Sequence, residues 1–199
     1  MKRKIKFGVI GLGHIGIKHI EAIIKNQHSE LIAVADKLSF DSLENKRNQD
    51  LSFLKKYPFY NNVNDILQNP DIDVLNICTP NGLHYEMAKQ SITNGKHVLI
   101  EKPMALKSKH AHFLVEHAEK NQKFVFCVMQ NRFSPTITWL KKIIDEERLG
   151  SIFSVHVNCF WNRNKNYYES SDWHGRLDLD GGPLFTQFSH FIDILYWLF

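Results

Sequence analysis

Short, continuously apolar runs alternate with segments whose apolar residues recur at helical spacing through the first two thirds of the chain. Ile5 to Ile10 is rich in β-branched residues and ends in glycines, and Ile15 to Lys25 carries apolar residues three and four apart. The chain is therefore expected to open strand, tight turn, helix. Leu31 to Ala35 predicts a second strand closed by Asp36, the polar stretch from Phe40 to Tyr57 a helix, and Val74 to Cys78 a further strand. His84 to Thr93 predicts a helix stopped at Asn94-Gly95, and Val98 to Ile100 a strand cut off by Glu101-Lys102-Pro103. Ala111, Leu114, Val115 and Ala118 make the stripe of a helix lying on a sheet, and Phe124 to Met129 is apolar throughout.

Such a series predicts an α/β fold, a doubly wound parallel sheet covered on both faces, with a ligand site where the strand order reverses. After Asn131 the pattern changes. Ser134 to Glu147 reads as an amphipathic helix, and Ser154 to Trp161 alternates, with Val155, Val157 and Cys159 on one side and Ser154, His156 and Asn158 on the other. Two unlike faces predict a strand of an antiparallel sheet, the start of an α+β domain.

The 199 residues are 43% hydrophobic and 23% charged, which excludes a disordered chain. Lys+Arg number 25 against 21 Asp+Glu, and the basic residues are scattered, so no nucleic-acid partner is expected. Cys78, Cys127 and Cys159 lie far apart in apolar runs and read as reduced core residues of a cytoplasmic protein. The basic start imitates a signal peptide, but Lys6 and His14 interrupt its apolar stretch, and no run of membrane-spanning length occurs. A soluble protein with no membrane partner is expected. His110, His112 and His117 share one helix without a carboxylate or cysteine at ligand spacing, so no metal site is assigned.

The strongest chemical signal is Gly11-Leu12-Gly13-His14-Ile15-Gly16, which follows a predicted strand, opens a predicted helix and precedes Asp36 by about 20 residues. Gly11 permits the tight turn, Gly13 a close approach to pyrophosphate, and Gly16 close packing of helix on strand. The anion would sit at the helix N-terminus, beside His14 and Ile15. Asp36 can accept both hydroxyls of an adenosine ribose and repels a 2′-phosphate, so NAD is favoured over NADP. Lys37 beside it softens that preference. Two further strand ends, Cys78-Thr79-Pro80-Asn81-Gly82-Leu83-His84 and Glu101-Lys102-Pro103, lie at the same carboxyl edge.

The set GLGHIG, Asp36, TPNGLH, EKP and GGPLFTQFSHFID resembles the Gfo/Idh/MocA family of nicotinamide-dependent sugar oxidoreductases. Within it, QNRFSP at 130–135 and RNKNYYESSDWHG with the later LDGG look most like the UDP-N-acetylglucosaminuronate 3-dehydrogenases, which oxidise the sugar C3 hydroxyl during assembly of surface polysaccharides. The resemblance implies a Rossmann NAD-binding domain over 1–125 and part of a substrate and oligomerisation domain over 126–199. It implies that Thr79, Pro80, Asn81, His84, Glu101 and Lys102 join the glycine loop around the cofactor.

Removing a hydride from an alcohol carbon requires a base for the hydroxyl proton. Lys102 and His190 are the two candidates, and their roles are interchangeable on the sequence alone. Pro103 pushes Lys102 toward extended backbone, and burial beside a positive nicotinamide ring would lower its pKa. Thr186, His190, Asp193 and Trp197 share one helical stripe. Many family members carry an aspartate at the position of Thr186, which weakens an inositol reading. A second departure is His174, where the UDP-sugar branch commonly has arginine. Between residues 131 and 180 seven basic side chains face seven acidic ones, so an anionic sugar nucleotide would be read by individual contacts. Candidates are Arg132 and Arg163, with Arg176 and Lys165 behind them, a stacking face from Tyr167, Tyr168 or Trp173, and Thr186, Gln187 and His190.

Two other readings stay open: another sugar or polyol dehydrogenase of the family, and a nucleotide-binding fragment without turnover. Phe191 to Phe199 is apolar except for Asp193 and carries no stop signal, so the chain is expected to be shortened, with exposed apolar area. Self-association as a dimer or tetramer is the expected consequence.

Overall fold

The structure is a computed structural model and describes residues 3–47 and 50–199. Contacts divide the chain into two compact units, Met1–Cys127 and Val128–Phe199.

In the first unit, strands β1 (Ile5–Ile10), β2 (Ser29–Ala35), β3 (Phe59–Tyr60), β4 (Val74–Ile77), β5 (His97–Ile100) and β6 (Val125–Cys127) form one sheet in the order β3-β2-β1-β4-β5-β6. Every pairing is parallel. The order reverses between β1 and β4, which opens a crevice at their carboxyl ends. Successive side chains of a strand face opposite ways, and the core divides accordingly. Val9 and Val34 pack with Ile17, Ile20 and Ile23 of α1 (His14–Lys25), whereas Ile10, Ala33 and Ala35 pack with Ile66 and Leu67 of α3 (Val63–Leu67). Ile77, Val98 and Ile100 meet Ala88 and Ile92 of α4 (His84–Thr93) and Leu114 and Ala118 of α5 (Ser108–Lys120). Both faces are covered, as the apolar strands required.

The polar stretch after Asp36 is less regular than expected. Helix α2 spans Phe40–Arg47, residues 48 and 49 lie outside the described residues, and a 3₁₀ turn at Ser52–Leu54 follows. Leu43, Leu51 and Leu54 dock it onto the α1 side of the core. Apolar residues this sparse anchor the segment at points without demanding a continuous helix.

The second unit contains α6 (Pro135–Asp145), α7 (Lys165–Glu169) and α8 (Ser189–Leu198), with a π-helical turn at Leu184–Phe188 directly before α8. The strand expected over Ser154 to Trp161 is not formed. Residues 152–164 have no regular structure, and Phe153 and Phe160 are 96% and 95% exposed. A strand exists only with a hydrogen-bonded neighbour, and among the described residues none pairs with this segment.

One close contact sets the position of α1. A Cβ built on Gly16 would stand 1.9 Å from the carbonyl oxygen of Gly11. Alanine in a helix interior ordinarily gains up to about 1 kcal/mol over glycine. Overpacking against rigid backbone costs about 1–3 kcal/mol and should win here. Gly16→Ala is expected to lower the urea midpoint of the chain, and an unchanged or raised midpoint would remove this contact from the account of the fold.

Candidate functional site

At the carboxyl end of β1 the chain turns through Gly11, whose φ of +91° lies in the region that favours glycine. A Cβ there would also lie 2.7 Å from the Cys78 carbonyl oxygen. Gly13 is extended and stands at the N-cap of α1, with no capping side chain and no acidic residue in the first turn. The helix therefore presents its first amides, with exposed His14 and Ile15, to the crevice, as an anion requires. Asp36, at the end of β2, accepts from Leu12 N (2.8 Å) through Oδ2 and from Leu38 N (3.0 Å) through Oδ1. These bonds fix the carboxylate plane and leave each oxygen a lone pair for a ribose hydroxyl. Lys37 beside it is exposed. An uncapped helix end, a glycine turn and a fixed acceptor pair together fit a dinucleotide.

The ends of β4 and β5 are tied together by His84. Its ring is fully buried, with Nδ1 2.7 Å from the Pro103 carbonyl oxygen and Nε2 2.8 Å from that of Thr79. Both ring nitrogens face backbone carbonyls, to one of which a neutral ring donates, so His84 supports the Thr79–Pro80 and Lys102–Pro103 turns. Asn81 is also buried, while Thr79, Pro80 and Lys102 are partly exposed. Glu101 is buried too: His19 Nε2 lies 2.9 Å from its Oε1, and its Oε2 accepts from Lys102 N at 3.1 Å. The Lys102–Pro103 peptide is cis. Burial beside the Glu101 charge pushes the Cys78 thiol well above its ordinary range, which makes it an inert core residue.

Within the second unit, Arg132 forks onto Asp193, with Nε 2.7 Å from Oδ2 and the second nitrogen on Oδ1. That pair ties the 3₁₀ turn at Gln130–Phe133 to α8. Arg132, a candidate substrate contact, holds through this pair the helix that carries His190. Arg163 lies between the rings of Trp161 and Tyr167, 4.2 and 4.3 Å from their centroids, and its buried Nε has no hydrogen-bond partner. The stack continues from Tyr167 to His174 at 4.2 Å, with Trp173 edge-on to His174. Burial raises the Tyr167 phenol above its ordinary value against Arg163 and a hydrogen bond to Gln187, which lower it. Tyr168 packs near Gly175, and the Thr186 hydroxyl donates to the Gly182 carbonyl at 3.1 Å. His190 is buried at the second position of α8, next to the π-helical turn, a distortion frequent at functional sites.

The glycine loop, Asp36, Thr79, Glu101 and Lys102 thus share one edge of the first unit, and Arg163, Trp173 and Gln187 attach to one aromatic stack in the second. Sequence reasoning passed over His19 and Asn76. The available signal was a polar residue, Asn76, inside the buried run Val74 to Cys78. Among the described residues no cluster of His, Cys, Asp or Glu could hold a metal ion, and no helix is long and apolar enough to cross a membrane.

Residues 5–129 match the sequence model of the oxidoreductase family with an NAD-binding Rossmann fold, and residues 137–199 match the GFO/IDH/MocA C-terminal domain. An uncharacterized oxidoreductase of Synechocystis is 32% identical over 96% of the chain and 50% of its own length. Two solved structures, the WlbA dehydrogenases of Chromobacterium violaceum and Bordetella pertussis in complex with NADH and UDP-GlcNAcA, are 35% and 34% identical. Each covers 100% of this chain and 56% of the solved one, with TM-scores of 0.90 and 0.89. The scyllo-inositol dehydrogenase of Lactobacillus casei, solved with NAD(H) and scyllo-inositol, is 25% identical over 74% of this chain and 43% of its own, with a TM-score of 0.65. The chain spans about half the length of these relatives.

The His84 ring yields a pH test. Burial, the largest influence, holds its pKa below the ordinary histidine value, although both carbonyls and Glu101 raise it. The folded chain therefore binds this proton less tightly than the unfolded chain does. The stability it contributes is complete above about pH 6.5 and is lost as pH falls through that value toward the folded pKa. Thermal midpoints followed from pH 8 to pH 5 should fall toward acid more steeply in the wild type than in His84→Asn. Parallel curves would show that His84 does not carry the acid sensitivity.

Proposed function

The chain belongs to the Gfo/Idh/MocA oxidoreductase family, and from that premise we propose that it oxidises the C3 hydroxyl of a UDP-linked N-acetylated uronic acid to a ketone. The observation that carries this reading is the likeness along the whole chain to two dehydrogenases solved with NADH and UDP-GlcNAcA. The inositol enzyme is matched over less of the chain and less closely. The polysaccharide-sugar supply it would serve, a cytoplasmic location and a dimeric or tetrameric assembly belong to the same proposal.

Bound nicotinamide supplies the hydride acceptor. The residues do the rest. The amides at the start of α1 hold the pyrophosphate, and Asp36 takes the adenosine ribose hydroxyls. Lys102 is taken as a group that acts on the sugar hydroxyl, as base or as hydrogen-bond donor, and His190 is the other candidate for the base. Arg163 lies over two aromatic rings, and its N–H groups suit a phosphate or carboxylate. Tyr168 and Trp173 offer stacking faces, and Thr186 and Gln187 offer polar contacts to the sugar. A second reading, oxidation of another sugar or a polyol, draws on the inositol relative. Thr186 counts against an inositol substrate, because a hydroxyl bonded to its own turn cannot relay a proton as a carboxylate does.

Incubated with NAD, the protein is expected to generate NADH absorbance with UDP-N-acetylglucosaminuronic acid and not with scyllo- or myo-inositol. Lys102→Ala should lower that rate by about 10²–10⁴-fold. NADH formation from an inositol alone would establish the second reading. No turnover of either substrate class would sink both. Calorimetry should find NAD bound more tightly than NADP, and Asp36→Ser should narrow the gap. Tighter NADP binding by the wild type would overturn the role given to Asp36.

A further inference from the structure

The least expected arrangement in the first unit is a buried polar relay that crosses three elements. The Asn76 amide on β4 lies 3.0 Å from His19 Nδ1 on α1, His19 Nε2 lies 2.9 Å from Glu101 Oε1 at the end of β5, and Glu101 Oε2 accepts from Lys102 N at 3.1 Å. The side chains of His19 and Glu101 are 11% and 8% exposed, and Asn76 is 2% exposed. We propose that His19 is a positioning residue for Lys102 and acts through the Glu101 carboxylate. The proposal rests on the reading of Lys102 as the catalytic lysine.

The direction of each hydrogen bond follows from what a carboxylate can do. Ionised Glu101 only accepts, so His19 Nε2 must carry a proton. In the neutral ring Nδ1 is then a lone pair, which the Asn76 amide N–H satisfies. Asn76 Oδ1 is left buried with no hydrogen-bond partner. In a neutral ring, turning the amide over would offer that oxygen to Nδ1, draw the ring proton there and set a bare Nε2 against the carboxylate. The orphaned oxygen is therefore the cost of the tautomer that serves Glu101. An unpaired amide oxygen inside a strand is unfavourable, and here it accompanies the orientation that sets an amide N–H on His19 Nδ1.

The relay ends on the segment that carries Lys102. On one side His19 fixes the Glu101 carboxylate, whose second oxygen holds the Lys102 N–H. On the other side His84 holds the Pro103 carbonyl. The stem of Lys102 thus leaves a backbone pinned by two buried imidazoles. His19 stands one turn beyond Gly16, where α1 approaches the Gly11 turn and Cys78 closely.

Two substitutions separate positioning from simple packing. A glutamine side chain can place an N–H near the Nε2 position and keep the Glu101 contact, whereas asparagine reaches only the Nδ1 position. With the lysines of the 199-residue chain dimethylated with ¹³C and the Lys102 signal assigned by its loss in Lys102→Arg, His19→Gln should keep the wild-type chemical shift and titration midpoint of that signal. His19→Asn should move both, and turnover should fall by about 10²-fold with the KM for NAD unchanged. If His19→Asn does not melt cooperatively, Asn76→Ala provides the second measurement and should move the Lys102 signal in the same direction. Equal behaviour of the Asn and Gln variants, or an unmoved signal in every folded variant, overturns the proposal. The catalytic reading is judged separately: full turnover in Lys102→Ala removes it, whatever the resonance does.

Discussion

The approach of α1 to the seam between β1 and β4 is the constraint on which the site depends. Gly16 leaves no room between helix and turn for even a methyl group, and Gly11 also passes close to the end of β4. Two consequences follow from that closeness. The helix axis points its uncapped N-terminus into the crevice where the strand order reverses, which is where an anion gains from unpaired amides. The same closeness brings His19 within hydrogen-bond reach of β4 and β5, so the element that faces the dinucleotide also supports the backbone of Lys102.

Several polar groups of the first unit connect elements that apolar packing alone would leave free to slide. Asp36 ties the glycine turn to the end of β2, His84 ties the end of β4 to the Pro103 turn, and Lys96 donates from below to the carbonyls of Asn69 and Ile72. Hydrophobic burial is not directional, so it sets which faces meet but not the register of the strand ends. Hydrogen bonds with short reach supply that register, and desolvation makes their loss expensive.

This division also explains what could be read from the sequence. Strand β1, helix α4 and the parallel arrangement were legible because burial on both faces makes a strand continuously apolar and burial on one face gives a helix a period of 3.6. Gly11, Gly16 and Asp36 were legible because their spacing follows from backbone geometry. Strand β3 is two residues long and helix α3 five, too short for any period to emerge. The alternation from Ser154 to Trp161 was read correctly as a pattern, yet a strand needs a partner and a pattern does not supply one. His84 looked like a ligand contact because it follows a turn at the cofactor edge, and only coordinates show two carbonyls on its ring. His19 lacked a signal altogether: its partners are far away in sequence, and a single histidine on an amphipathic helix is unremarkable.

The two arginines of the second unit show how geometry assigns roles that composition leaves equal. Arg132 meets a carboxylate through two parallel bonds and also lies 5.9 Å from the Trp197 ring, so both its edge and its charge are used within the unit. Its partner Asp193 is one turn beyond His190, so the pair sets the rotation of α8 and with it the direction of the histidine. Arg163 is held the other way, by its faces. Stacking between Trp161 and Tyr167 immobilises the guanidinium plane without consuming its charge, and a cation oriented in advance loses less freedom when an anion arrives. A residue fixed by its edge stabilises a helix, and one fixed by its faces is prepared to bind. That contrast is what supports giving Arg163, rather than Arg132, the anion contact in the proposed function.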